Sequence, residues 1–219
     1  MSDVNVQLVR EFFELNAFHV MTNWRHDGLR ARGADHGCQL FVENTAPAPE
    51  RELDFVLRAG DLPVIRRALV DVRAWHADRF YPSVIESNPI LFQIVDKEFQ
   101  ARAKAVFGGA EGATILVISE LPSSSEPRQR SLTLLQEGGI GHVIEFPTVI
   151  HEVLNKISAQ VSYSTSQTLQ TLRLLKRYSF IRRQQLELPF PTEAPLPTVP
   201  PMIETIQMSG DEEIATDPD

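Results

Sequence analysis

The residues with the clearest chemical potential are Asp71 and Arg73, in the run Ala68-Leu69-Val70-Asp71-Val72-Arg73-Ala74-Trp75. The run alternates as a β-strand, with Val70, Val72 and Ala74 on one side and Leu69, Asp71, Arg73 and Trp75 on the other. Two residues apart on a strand, an acid and a base face the same way. The acid can then hold a divalent cation while the base touches a scissile phosphate or its attacking water. The same spacing also suits a salt-bridged polar patch beside a sheet.

Other familiar chemistries find less support. His19, His26, His36, His76, His142 and His151 include no H-x-x-x-H or H-E-x-x-H pair, which argues against a zinc hydrolase. There is no G-x-S-x-G elbow and no G-x-x-x-x-G-K-[ST] loop. Gly108-Gly109 and Gly138-Gly139 fall where helices end, and helix termination accounts for them. The single cysteine, Cys38, excludes an internal disulfide framework and multi-cysteine metal sites, and it suits a reducing compartment.

Elements must position Asp71 and Arg73. Residues 4–16 carry Leu8, Val9, Phe12, Phe13 and Leu15 on a helical stripe, with Gln7, Glu11 and Glu14 on its flank. Strands are expected over residues 18–22 and 38–43, separated by a polar stretch, 23–37; in the second strand Gln39, Phe41 and Glu43 share a face. Residues 44–58 have turn chemistry around Pro47 and Pro49 and read as an insertion or hairpin arm. Asp61 is expected to cap one or two helical turns through Arg67. Asn88-Pro89 opens a helix expected to run to Phe107. Thr114–Ser119 is a buried strand, 125–137 a helix, His142–Phe146 another buried strand, and Thr148 the cap of a further helix. The order predicts an α/β fold, a mixed β-sheet flanked by helices.

This order, with a Glu-bearing helix, a strand, a strand presenting a polar ligand, an acid-x-base strand, a helix and a buried strand, resembles that of the PD-(D/E)XK, or restriction-endonuclease-like, nucleases. The resemblance covers about residues 4–120. It lies in Val9-Arg10-Glu11-Phe12-Phe13-Glu14-Leu15-Asn16-Ala17-Phe18-His19-Val20, in Gln39-Leu40-Phe41-Val42-Glu43-Asn44 and in Val70-Asp71-Val72-Arg73-Ala74-Trp75-His76. It implies a restriction-endonuclease-like core and a site for Mg²⁺ or Mn²⁺ held by Asp71, Glu11 and Gln39, with Arg73 stabilising transition-state charge. Glu14, Asp35 or Glu43 could take over a ligand's part. The chain departs from the family pattern at two positions. Gln39 stands where an Asp is usual and supplies no charge, although hard cations favour carboxylates. Arg73 stands where a Lys is usual; it clamps phosphate but keeps its proton and cannot act as a base. The implied function is nucleic-acid binding or processing, with metal-dependent phosphodiesterase activity weakened or lost. The alternative is a non-catalytic interaction or scaffold protein that keeps only the fold.

Beyond residue 165 the chain changes character. Residues 166–178 read as a helix with Arg173, Lys176 and Arg177 on one face, followed by Arg182 and Arg183, and together these form a candidate phosphate-binding patch. Residues 187–219 hold eight acidic residues, no Lys or Arg, and seven prolines, so a disordered tail is expected. The net charge of −8 belongs to that tail: of 29 acids eight lie in it, so 21 acids meet 21 bases in residues 1–186. A neutral body does not exclude a nucleic-acid partner, and DNA is expected before RNA. A homodimer and a protein partner engaged through the acidic tail stay open. With no apolar run near the ~18 residues of a membrane span, the expected location is cytoplasmic. The domain plan is an α/β domain over 1–165, a basic helical segment over 166–186 and a tail over 187–219.

Overall fold

In the computed structural model, residues 3–22 and 38–181 are described, the side chains of residues 3, 38 and 39 excepted. The polar stretch 23–37, the tail 187–219, and Asp35, Arg182 and Arg183 lie outside them. The chain forms two units, Met1–Arg182 and Arg183–Asp219. The unit boundary falls inside the expected basic segment 166–186, with residues 166–182 in the first unit and 183–186 in the second.

Five strands form one sheet in the order β1-β2-β3-β4-β5: β1 (Phe18–Thr22), β2 (Cys38–Asn44), β3 (Arg67–Arg73), β4 (Ala113–Ile118) and β5 (His142–Glu145). The β1–β2 and β2–β3 pairs are antiparallel; β3, β4 and β5 are parallel. A mixed α/β sheet is therefore observed, as the element order predicts.

Parallel neighbours need crossovers. Between β3 and β4 the chain makes α2 (Pro82–Glu86), a 3-10 segment Pro89–Val95 and α3 (Lys97–Val106); between β4 and β5 it makes α4 (Ser125–Glu137). These pack Phe80, Ile85, Leu91, Ile94, Ala103 and Leu135 on the sheet face that carries Phe41, Leu69, Leu116 and Ile118. The opposite face, with Leu40, Val42, Val70, Val72, Ile115 and Val117, is covered by α1 (Asp3–Leu15), α5 (Phe146–Lys156) and α6 (Gln167–Arg177). Every strand of the parallel set is thus buried on both sides, which explains its continuous apolar runs.

Three local expectations are corrected. The single helix expected from Asn88 to Phe107 is broken at Asp96, whose extended backbone (φ −61°, ψ 142°) separates the 3-10 segment from α3. Asp61 does not cap a helix ending at Arg67. It lies inside a 3-10 turn, Ala59–Val64, and Arg67 already begins β3. Helix α5 starts at Phe146 rather than after Thr148, because Pro147 sits in its first turn, where a missing N–H costs nothing.

The arm 44–58 is a strap and not a hairpin. It reaches the far edge of the sheet, where Leu57 N–H donates to Val143 C=O and Val143 N–H to Phe55 C=O, both at 2.8 Å. Asn44 anchors its start by donating to the carbonyls of Pro63 and Ile65. The β5 edge is closed this way. No helix among the described residues is long and apolar enough to cross a membrane.

Candidate functional site

Strand β3 lies between β2 and β4, and alternation turns Asp71 and Arg73 to the face of Leu69, away from Val70 and Val72. Arg73 Nε donates to Asp71 Oδ2 at 2.8 Å, and both side chains have no exposed surface. In the register Asp71 stands beside Leu116 and Arg73 beside Ile118, both core residues of β4. Past the strand, Trp75 stacks on Phe80, with ring centroids 5.4 Å apart. A charge pair enclosed in this way has its charges compensated by the protein itself. Gln39 is the register partner of Asp71 on β2, so the backbone brings these two predicted positions side by side.

Glu11 is placed on the other side of the sheet. Its helix neighbours Leu8, Val9, Phe12 and Phe13 pack with Val70 and Val72, so β3 separates the Glu11 carboxylate from that of Asp71. Glu11 is buried, and its Oε1 accepts from Gln7 Nε2 at 2.7 Å and from the Ser166 hydroxyl. Ser166 is also the N-cap of α6, accepting the Leu169 N–H at 3.0 Å. A carboxylate beside the N-terminus of a helix meets the positive end of its dipole. Glu11 therefore fastens α6 to α1. Glu14 forms an exposed pair with Arg10, and Glu43 pairs with Arg67; neither is part of the Asp71–Arg73 pair.

These placements bear on the metal that the family resemblance implies. Among the described residues no three His, Cys, Asp or Glu side chains form a group able to hold a metal ion. Asp71 is engaged by a guanidinium and Glu11 lies across the sheet, so the carboxylates do not fit a shared Mg²⁺ or Mn²⁺.

The basic residues of α6 also divide. Lys176 Nζ donates to Leu154 C=O at 2.7 Å and Ile157 C=O at 2.6 Å, satisfying carbonyls at the end of α5. Arg173 is half-buried, with its Nε enclosed and lacking a hydrogen bond. Arg177 is exposed. Beside the exposed polar Gln167, Thr171 and Ser179, the apolar Leu174, Leu175, Tyr178 and Phe180 are exposed by 40%, 36%, 67% and 79%.

Polar contacts at the carboxyl ends of the parallel strands were not anticipated from sequence. Glu145, ending β5, accepts from both Arg128 Nη atoms (3.3 and 2.8 Å) and from the Leu121 N–H at 2.8 Å. The Glu145 hydrogen bond holds the Arg128 guanidinium above its ordinary pKa, against the opposing effect of burial. His76 Nε2 meets Asn5 Oδ1 at 3.2 Å and its ring packs edge-on against Phe146, while Asn5 Nδ2 donates to Ala74 C=O at 3.0 Å. Open sheets commonly place ligand sites at this end, but here these groups bind one another. The one sequence signal was Glu145 itself, an acid closing an apolar run before Phe146-Pro147. A cavity of about 370 Å³ lies nearby, lined by Ala59, Pro147, Thr148, His151 and Glu152.

No protein-family model, no curated protein and no solved structure matches this chain.

Proposed function

We propose that this chain is a non-catalytic binding protein on a restriction-endonuclease-like architecture, in which the acid-x-base pair serves the core. One observation carries the reading: Asp71 and Arg73 pair at 2.8 Å with no exposed surface, on the sheet face opposite Glu11. A phosphodiester has no access to a pair so enclosed, and a carboxylate already engaged by a guanidinium gives a hard cation little. The partner is a protein. The exposed Leu174, Leu175, Tyr178 and Phe180 support this, as does the engagement of Lys176 with backbone carbonyls.

The test is a cleavage assay on plasmid and oligonucleotide DNA and RNA with Mg²⁺ or Mn²⁺. The expected result is no turnover above buffer. Cleavage by the wild type that disappears in a folded Asp71→Asn variant would overturn the reading.

A second reading, nucleic-acid binding or processing, is favoured by the register. Gln39 stands beside Asp71 on adjacent strands, the two positions to which the resemblance assigns metal ligands. It requires DNA or RNA affinity that falls steeply with salt and drops further on Arg177→Ala.

A further inference from the structure

The two edges of the sheet are treated differently. The strap closes β5 through Val56 and its neighbours. Strand β1 is last in the order at the other side, and among the described residues no strand pairs with its outer edge. Edge strands usually carry charges, prolines or bulges that discourage pairing. The β1 sequence, Phe-His-Val-Met-Thr, contains no Lys, Arg, Asp, Glu, Pro or Gly.

Hydrogen bonds fix which backbone groups face outward. Asn44 N–H donates to Arg66 C=O on the β3 side, and Thr45 N–H donates to Ala17 C=O on the β1 side. Alternation then commits His19 and Met21 to their register partners Glu43 and Phe41. The N–H and C=O groups of Phe18, Val20 and Thr22 point to the outer edge, which no strand among the described residues pairs. We infer that this edge pairs with the β1 edge of a second copy of the chain, antiparallel about a two-fold axis through Val20.

Self-complementarity selects a second copy over other strands. A two-fold axis at Val20 sets Val20 against its own copy and Phe18 against Thr22, so all three outward-directed residues exchange both bonds. The axis is perpendicular to the sheet and preserves its faces. Phe18 and Val20, which pack with the α1-covered core, therefore continue that core across the junction. On the other face the exposed His19 meets Met21, itself 55% exposed. No like charges are brought together, which is the usual penalty for identical strands. The product is a closed C2 dimer with a ten-stranded sheet. It does not depend on the Asp71–Arg73 reading, and failure of either leaves the other standing.

The test uses the full chain and two charge variants, His19→Lys/Met21→Lys and His19→Glu/Met21→Glu, with circular dichroism to establish folding. In either variant alone, the two-fold sets like charges directly opposite. Sedimentation of the wild type across the micromolar range should give twice the chain mass of 24.7 kDa. Each variant should sediment as a monomer, and an equimolar mixture should restore the dimer. Hydrogen exchange at Phe18, Val20 and Thr22 in the wild type should slow as concentration rises. A monomeric wild type, a folded Lys variant that still dimerises, or exchange independent of concentration would overturn the inference.

Discussion

Arg73 Nε and Asp71 Oδ2 lie 2.8 Å apart inside the sheet, with neither side chain reaching solvent. Removing one member takes from the other, still buried, charge its partner at 2.8 Å. Asp71→Ala and Arg73→Ala should each destabilise the fold by about 3–5 kcal/mol, whereas the double change Asp71→Leu/Arg73→Met should recover most of the loss. Urea unfolding of the four proteins checks this. Single variants as stable as the wild type would show that the pair is not a core element.

Lys176 should matter to stability more than its exposed neighbour. Its ammonium binds the carbonyls of Leu154 and Ile157, so Lys176→Met should cost about 2 kcal/mol, as for charge-assisted hydrogen bonds. Arg177→Met should stay within about 0.5 kcal/mol of the wild type. Thermal melts of the two variants separate a helix-end clamp from a general charge effect.

The junction of α1 and α6 rests on Glu11 and Ser166. Ser166→Ala removes both the cap of α6 and the hydroxyl bound to Glu11, at a cost of about 1 kcal/mol. Hydrogen exchange should speed up across residues 167–177 while β3 and β4 keep wild-type protection. Uniform acceleration would mean that α6 opens only with the whole fold.

Asp61 makes part of the stability pH-dependent. Burial raises its pKa, but the Arg58 N–H (2.8 Å) and the Arg51 guanidinium (2.5 Å) outweigh that and hold the carboxyl below its usual range. The unfolded chain therefore binds this proton more readily than the folded one. The contribution is complete above the ordinary carboxyl pKa of about 3.9 and is lost as pH falls through the lower folded value. Asp61→Asn should be about 1 kcal/mol less stable at pH 7, a gap that narrows below about pH 4. Denaturation midpoints measured from pH 7 to pH 3 test the sign.

Gly138 and Gly139 end α4 for different reasons. Gly139 has φ +85°, a left-handed conformation that glycine adopts freely, whereas Gly138 has an ordinary helical φ of −71°. A Cβ on Gly138 would lie 2.0 Å from Phe92 Cε1. Gly138→Ala should lower stability by about 1–3 kcal/mol through overpacking, and Gly138→Ala/Phe92→Leu should recover part of it. Calorimetric melting temperatures report both.

Much of the fold could be read along the chain. Helix α1 and strands β2 and β3 follow from apolar periods of 3.6 and 2, strands β1, β4 and β5 from short or continuous apolar runs, and helix α4 from Ser125-Glu126-Pro127 at its start and Gly138 at its end. The break at Asp96 and the path of residues 44–58 did not, since both depend on what the segment packs against. The strap is tied through Phe55, Leu57 and Val143, residues far apart in sequence.

For the candidate site, the sequence alone determined that Asp71 and Arg73 share a strand face and that Glu11 belongs to an amphipathic helix. Only the tertiary structure decided that α1 covers the opposite face, that α2 to α4 pack on the sheet face that carries the ion pair, and that Lys176 reaches the end of α5. The physical reason is that alternation fixes which residues lie together on one element, while burial and charge compensation are set by the elements packed over them. A D-x-R strand open to water and one sealed in a core have the same local sequence.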